Sequence, residues 1–305
     1  MNQRTRTIIN ASWVGLIGNL LLSLVKIVVG WLSSSQAVLG DGIDSLSDVA
    51  AYLVTLVTAR ITQRPPDVKY PYGYNRAETI ASKALSFFIF FAGAQLFYNN
   101  LMDLVQGVDR PIPSLLALYV SGFSVLGKLG LALWQFRIGQ RTQSPMLIAN
   151  ARNMQADIVL SAVVLVGVGL SVFYQWPNID TILALLVSLW ILRIGYKIFT
   201  ESNTELMDGV DDTSLYQRVF TAVKSVPGVH NPHRARIRKL ANAYVVELDI
   251  EVAGDLSVSQ AHELGVEVEQ QIKATLDNVY DIMIHVEPRG NVEKHEKFGL
   301  SREDV

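Results

Sequence analysis

DGIDSLSDVAAYLV, residues 41–54, sets Asp41, Asp44 and Asp48 at the head of a run otherwise fit for a membrane interior. Steps of three and four residues keep side chains on one helix face, so the three carboxylates point the same way. A lone charge at the bilayer centre costs about 2.5–3.5 kcal/mol on insertion scales. Three ionised carboxylates also repel one another. Protonation relieves such a face, and so does a bound cation.

The wider sequence fits a membrane setting. Half of the 305 residues are hydrophobic and the mean hydropathy is positive. The apolar residues gather in long runs before position 200, then give way to a mixed, charged region. That pattern describes a polytopic membrane protein with a soluble tail. A net charge of −2 offers no sign of nucleic-acid binding. The absence of cysteine excludes disulfides and thiolate metal sites and leaves the redox compartment open. MNQRTRTIINASWVG carries two Arg before an apolar run too long for a signal-peptide core, so it reads as the start of a first membrane helix.

Six runs reach the roughly 20 residues that cross a bilayer, at about 8–32, 36–61, 79–106, 112–137, 145–174 and 178–199. Turn chemistry separates them: SSS at 33–35, RPPDVKYPYG at 64–73, GVDRPIP at 107–113 and QWPN at 175–178. Arg4 and Arg6, then Arg60, Arg64, Lys69 and Arg76, then Arg137 and Arg141 fall on one side, against Arg110 on the other. The positive-inside rule places both termini in the cytoplasm. Trp13, Trp31 and Trp176 read as interfacial anchors, and Gly15, Gly18 and Gly30 as sites of close helix packing. Lys26, Lys83 and Lys128 fall within the apolar runs; snorkelling or an acidic partner would serve each, and the sequence assigns them no role. Asp180 reads as a helix cap at the outer surface.

Beyond residue 208 the pattern is α-β-β-α-β: an amphipathic helix at 213–226, strands at 233–240 and 244–252, a helix at 257–276 and a strand at 279–288. This predicts a small antiparallel sheet with helices on one face. The expected division is a membrane domain over 1–207, a C-terminal α+β domain over 208–290, and a charged, disordered tail over 291–305 that includes His295.

The fifth span repeats the spacing of the second. NARNMQAD puts Asn150, Asn153 and Asp157 at steps of three and four. If the two spans pack side by side, Asp44, Asp48, Asn153 and Asp157 can converge. All five histidines lie beyond residue 229, so a site in the membrane must use oxygen ligands. Oxygen suits Mn²⁺, Mg²⁺ and Ca²⁺, imidazole suits Zn²⁺, and Fe²⁺ lies between. Four ligands with room for water favour Mn²⁺, then Fe²⁺, with Zn²⁺ open as an alternative. A site able to hold either metal or protons is what an exchanger requires.

SSSQAVLGDGIDSLSDV, YPYGYNRAE, NARNMQAD, DTILALLVSLWILRIG, VPGVH, QAHELGVEVEQQI and IMIHVEP together resemble the cation diffusion facilitators, a family of divalent-metal/proton antiporters. The resemblance spans nearly all of residues 7–288. It implies a homodimer, alternating access, and export of metal from the cytoplasm as protons enter. It puts the transport site on Asp44, Asp48, Asn153 and Asp157, with Asp41 and Asn150 supporting or gating it. It also implies a metallochaperone-like, ferredoxin-like C-terminal domain that binds regulatory metal through His233, Asp249, His262, His285 and Glu287. His285 and Glu287, two apart on a strand, share a face independently of any resemblance. His230 is a weaker candidate. Zinc-transporting members usually carry His where this chain has Asp44 or Asn153. A metal site that some members build between spans two and three falls on Asp67, Tyr70 and Tyr74, so it is expected to be absent. Arg76 matches a basic position able to pair with an acid after the sixth span, here Asp208.

The reading is therefore a proton-coupled exporter of divalent metal in a prokaryotic inner membrane, with no prosthetic group. Zn²⁺ or broad selectivity is one alternative; a non-transporting, membrane-anchored metal sensor or scaffold is another. No nucleophile–base pair or nucleotide loop suggests an enzyme, and no re-entrant filter suggests a channel.

Overall fold

A computed structural model of the chain describes residues 3–108, 110–142, 144–240, 243–291, 298–301 and 304. Six long helices come first: α1 (Gln3–Leu32), α2 (Gln36–Thr62), α3 (Arg76–Gln106), α4 (Leu115–Thr142), α5 (Pro145–Tyr174) and α6 (Asn178–Leu206). All six are long and apolar enough to cross a bilayer. α4 and α6 run past the predicted apolar edges at 137 and 199, because the helical hydrogen-bond ladder continues after the apolar composition ends. The chain forms two compact units, Met1–Val57 with Ser82–Phe199, and Thr58–Ala81 with Thr200–Val305.

In the first unit, Val38, Ile89, Leu96, Val164, Val187 and Ile191 bring α2, α3, α5 and α6 into one buried cluster. Phe88, Phe91, Phe123 and Phe173 instead face outward, as a bilayer-embedded surface requires, and Trp13, Trp31 and Trp176 are exposed. Gly42 lets α2 approach α1. A Cβ there would stand 2.9 Å from the Ile27 amide nitrogen and 3.1 Å from Lys26 Cβ, so any larger residue would hold Lys26 away from α2.

The second unit carries α7 (Ser214–Lys224), β1 (His230–Leu240), β2 (Ala243–Val252), α8 (Val258–Thr275) and β3 (Val279–Pro288). α8 starts with a capping box, Ser257 accepting from the Gln260 amide while the Gln260 side chain accepts from the Ser257 amide. Val219, Val223, Leu248, Ile250, Val268 and Ile272 form the core between helices and sheet. The sheet order is β1-β2-β3. β1 and β2 are antiparallel, but β2 and β3 are parallel, which corrects the expected all-antiparallel sheet. The helical crossover through α8 is the reason: it returns the chain to the end of the sheet where β2 began. Part of the tail expected to be disordered is paired. Ala235 and Leu300 exchange two backbone hydrogen bonds of 2.9 Å, extending the sheet at the edge strand β1. His295 lies outside the described residues.

The architecture is thus an α-helical membrane protein with six spans and a C-terminal α+β domain of αββαβ order.

Candidate metal centres

The spacing on α2 and α5 brings two acidic faces together. Carboxylate oxygens of Asp44, Asp48 and Asp157 all lie within 4.8 Å of one another. Asp44 is buried, whereas Asp48 and Asp157 face a cavity of about 310 Å³. Asn150 and Asn153 line the same cavity. It reaches Ser12 on α1, Thr55 on α2 and Asn150 on α5, and so extends toward the end of the bundle where α1 begins and α2 ends. Oxygen donors surround this space, and carboxylates so close together suit a cation.

Asp41, one turn before Asp44, is engaged elsewhere. Its Oδ2 lies 2.8 Å from Lys26 Nζ, and its Oδ1 accepts from Ser161 Oγ at 2.7 Å. Lys26 also donates to Ser45 and Ser161, at 3.0 and 3.2 Å. Asp41 and Lys26 are both fully buried. Lys128 Nζ stands 3.3 Å from Asp157 Oδ2. Two lysines that the sequence left without a role are therefore internal counter-charges to acids of this region. Their positions carried the signal: Lys128 lies some thirteen residues, about 20 Å of helix, from either end of α4, too far to snorkel. Lys83 lies over the Phe199 ring at 5.0 Å.

Asp180 caps a helix, as expected, but it is buried and the helix is α2 rather than its own. Its carboxylate accepts from Ser35 Oγ at 2.6 Å and from the Gln36 and Ala37 amides at 2.7 and 3.5 Å. The positive end of α2 favours a negative cap there.

A second cluster forms on the sheet face turned away from the α7–α8 core. His233, Asp249 and Glu287 offer ligand atoms within 4.8 Å of one another. In register, His233 opposes Asp249 on β2, and Asp249 opposes His285 on β3. Two irregularities, between residues 230 and 233 and between 233 and 236, place Asn231 and Arg234 at positive φ and set the orientation of His233. Glu287 lies 3.6 Å from His233 Nε2 and 3.4 Å from His285 Nε2. Both Glu287 oxygens are buried without a hydrogen-bond partner among the described residues, which suits a group awaiting a cation. Arg234 reaches Asp249 at 2.8 Å. The structure does not bring His262 into this group; it lies on the exposed side of α8, and His230 is exposed at the start of β1. Glu251 sits beside the cluster. Burial works against its ionisation, but hydrogen bonds from Gly290 N and Asn231 Nδ2 outweigh that and hold its carboxyl below the ordinary value.

Between α2 and α3, Asp67 accepts from Tyr74 OH at 2.5 Å and from the Lys69 and Tyr70 amides at 2.8 Å. Tyr74 first, and the amides after it, hold its carboxyl below the usual range. This carboxylate closes a turn. Arg76 pairs with Asp208 within the one chain and donates to the Glu205 and Leu206 carbonyls at 3.1 and 3.2 Å, capping the end of α6.

Comparison with known proteins adds context. The cation efflux transmembrane domain profile matches residues 12–207, and that of the cation efflux protein, cytoplasmic domain, matches 212–289. The manganese efflux system protein MneS of Bacillus subtilis is 29% identical over 279 residues, covering 90% of this chain and 93% of its own. The cation-efflux pump FieF of Klebsiella pneumoniae is 30% identical over 270 residues, covering 88% of each chain. Among solved structures, the metal-bound C-terminal domain of the CzcD transporter from Thermotoga maritima is 46% identical, covers 26% of this chain and 93% of its own, and has a TM-score of 0.26.

Proposed function

The chain belongs to the cation efflux, or cation diffusion facilitator, family of divalent-metal exporters, and from that premise we propose that it moves Mn²⁺, with Fe²⁺ next, out of the cytoplasm in exchange for protons. The observation that carries this reading is the meeting of Asp44, Asp48 and Asp157 inside the helix bundle, with Asn153 on the same cavity. A donor set made of oxygen alone, with no imidazole or thiolate in the spans, favours the harder transition ions. When the ion departs, carboxylates this close repel unless protons replace it. Positive-inside charge puts the cavity on the cytoplasmic side, which makes this the loading state of an alternating-access cycle. The Lys26–Asp41 network and the Asp180 cap lie toward the opposite end.

The assignment extends to the whole chain. Residues 1–207 carry transport through Asp44, Asp48, Asn153 and Asp157, with Asp41 and Asn150 beside them. Residues 208–290 serve regulation and homodimer formation, with metal held by His233, Asp249 and Glu287 and reached by His285. The protein lies in an inner membrane with both termini cytoplasmic. The name of MneS, a manganese efflux protein, agrees with the metal preference.

A second reading is Zn²⁺ or broad-specificity export, since carboxylates also accept Zn²⁺. The test is efflux in proteoliposomes under a pH gradient, with Mn²⁺, Fe²⁺, Zn²⁺, Co²⁺ and Cd²⁺ compared. Asp48→Ala is expected to abolish transport of every ion, and retained transport would sink the site. Asn153→His is expected to shift preference toward Zn²⁺; an unchanged profile would count against the oxygen-ligand argument. A pure sensor or scaffold would move no ion in either form.

A further inference from the structure

Lys128 is 1% exposed and midway along α4, and among the described residues the acid its ammonium contacts is Asp157, with Oδ2 at 3.3 Å. Among the described residues it has no hydrogen-bond partner. Lys26, by contrast, is held by Asp41, Ser45 and Ser161 together. The two lysines thus divide the acids of this region. Lys26 neutralises Asp41 in a closed network. Lys128 makes one looser approach to a carboxylate that also faces the cavity and the two other acids. Taken with full charges, Asp44, Asp48 and Asp157 contribute three negative charges and Lys128 one positive, leaving −2, the complement of a single dication.

We infer that Lys128 is a tethered cation of the transport site, sharing Asp157 with the transported ion and weakening its hold enough for release. This rests on the transport-site reading above and adds a residue that tunes it. A fixed ammonium beside a ligand carboxylate repels the arriving dication and competes for its oxygen. Without it, three carboxylates would bind a dication more tightly and surrender it more slowly.

A structural bridge between α4 and α5 would behave differently on removal: it would loosen the fold and leave ion affinity lower or unchanged. The measurement is Mn²⁺ binding by calorimetry and electron paramagnetic resonance on the full-length protein in nanodiscs at fixed pH. Glu287→Gln in every sample weakens the competing C-terminal cluster. Lys128→Met is expected to tighten Mn²⁺ binding by about tenfold or more and to slow efflux in proteoliposomes. Lys128→Arg keeps the charge and holds Asp157 through two hydrogen bonds, so it is expected to weaken Mn²⁺ binding by about tenfold. A folded Lys128→Met protein with unchanged or weaker affinity overturns the inference. If Lys128→Met does not fold, Lys128→Arg decides, and unchanged affinity there overturns it. Asp48→Asn separates the two readings. If Mn²⁺ binding survives it, the transport site itself is misplaced; if binding is lost while both Lys128 variants match the parent, only the tethered-cation inference fails.

Discussion

At the residue scale, charge inside the bilayer decides which side chains matter. Asp41 and Lys26 are each fully buried and 2.8 Å apart. Removing one partner of a buried pair leaves the other uncompensated, a loss of about 3–5 kcal/mol. Lys26→Met is therefore expected to lower the melting temperature in detergent sharply, and Lys26→Met with Asp41→Asn to recover most of the loss. A double variant no more stable than the single one would mean that the pair is not a unit. The three aspartates were legible in the sequence because their spacing matches a helix face. Their division was not. Asp41, Asp44 and Asp48 look alike along the chain, yet one meets a lysine fifteen positions away and the others meet Asp157. Spacing gives a direction around a helix and says nothing of which neighbour stands there.

At the scale of elements, ends and edges tie the folds down. Asp180 on α6 caps α2, and Arg76 on α3 caps α6. Neither acts on its own helix, which is why local capping rules found Asp180 as a cap without naming the helix it serves. In the C-terminal domain, Glu251 joins the irregular start of β1, through Asn231, to the turn after β3, through Gly290. Its carboxyl lies below the ordinary value of 4.5 in the folded state. A depressed carboxyl stabilises the fold fully above its unfolded value and loses that contribution as pH falls through the native one. Protection of the Gly290 amide from hydrogen exchange is thus expected to hold above about pH 4.5 and to fall below it, with Glu251→Gln weakening protection at neutral pH. Protection independent of pH would remove Glu251 from this role. The strands were readable from alternation, whereas the parallel pairing of β2 with β3 depended on where α8 delivers the chain.

At the scale of the whole molecule, the proposal joins a membrane site to a C-terminal one. In a homodimer, metal held by His233, Asp249 and Glu287 would favour one arrangement of the paired tails and so link cytoplasmic metal level to transport. His233→Ala with His285→Ala is expected to lower bound metal by about one ion per chain and to remove the dependence of efflux rate on metal at the cytoplasmic face. Unchanged dependence would leave the C-terminal cluster without a regulatory role. His262, carried over from family resemblance, stands apart from this cluster, because matching a motif position fixes neither the helix face nor the distance.

The sequence by itself determined the six spans, the order of elements in the C-terminal domain and the absence of imidazole and thiolate from those spans. All of these follow from composition and local periodicity, which act over a few helical turns. Tertiary structure alone decided that Lys26 closes on Asp41, that Lys128 stands beside Asp157, that Arg234 shares Asp249 with the C-terminal cluster, and that Leu300 joins the edge of β1. Each depends on a partner distant in the chain. Which buried charge neutralises which is settled by the distance between packed elements, a quantity that no single segment encodes.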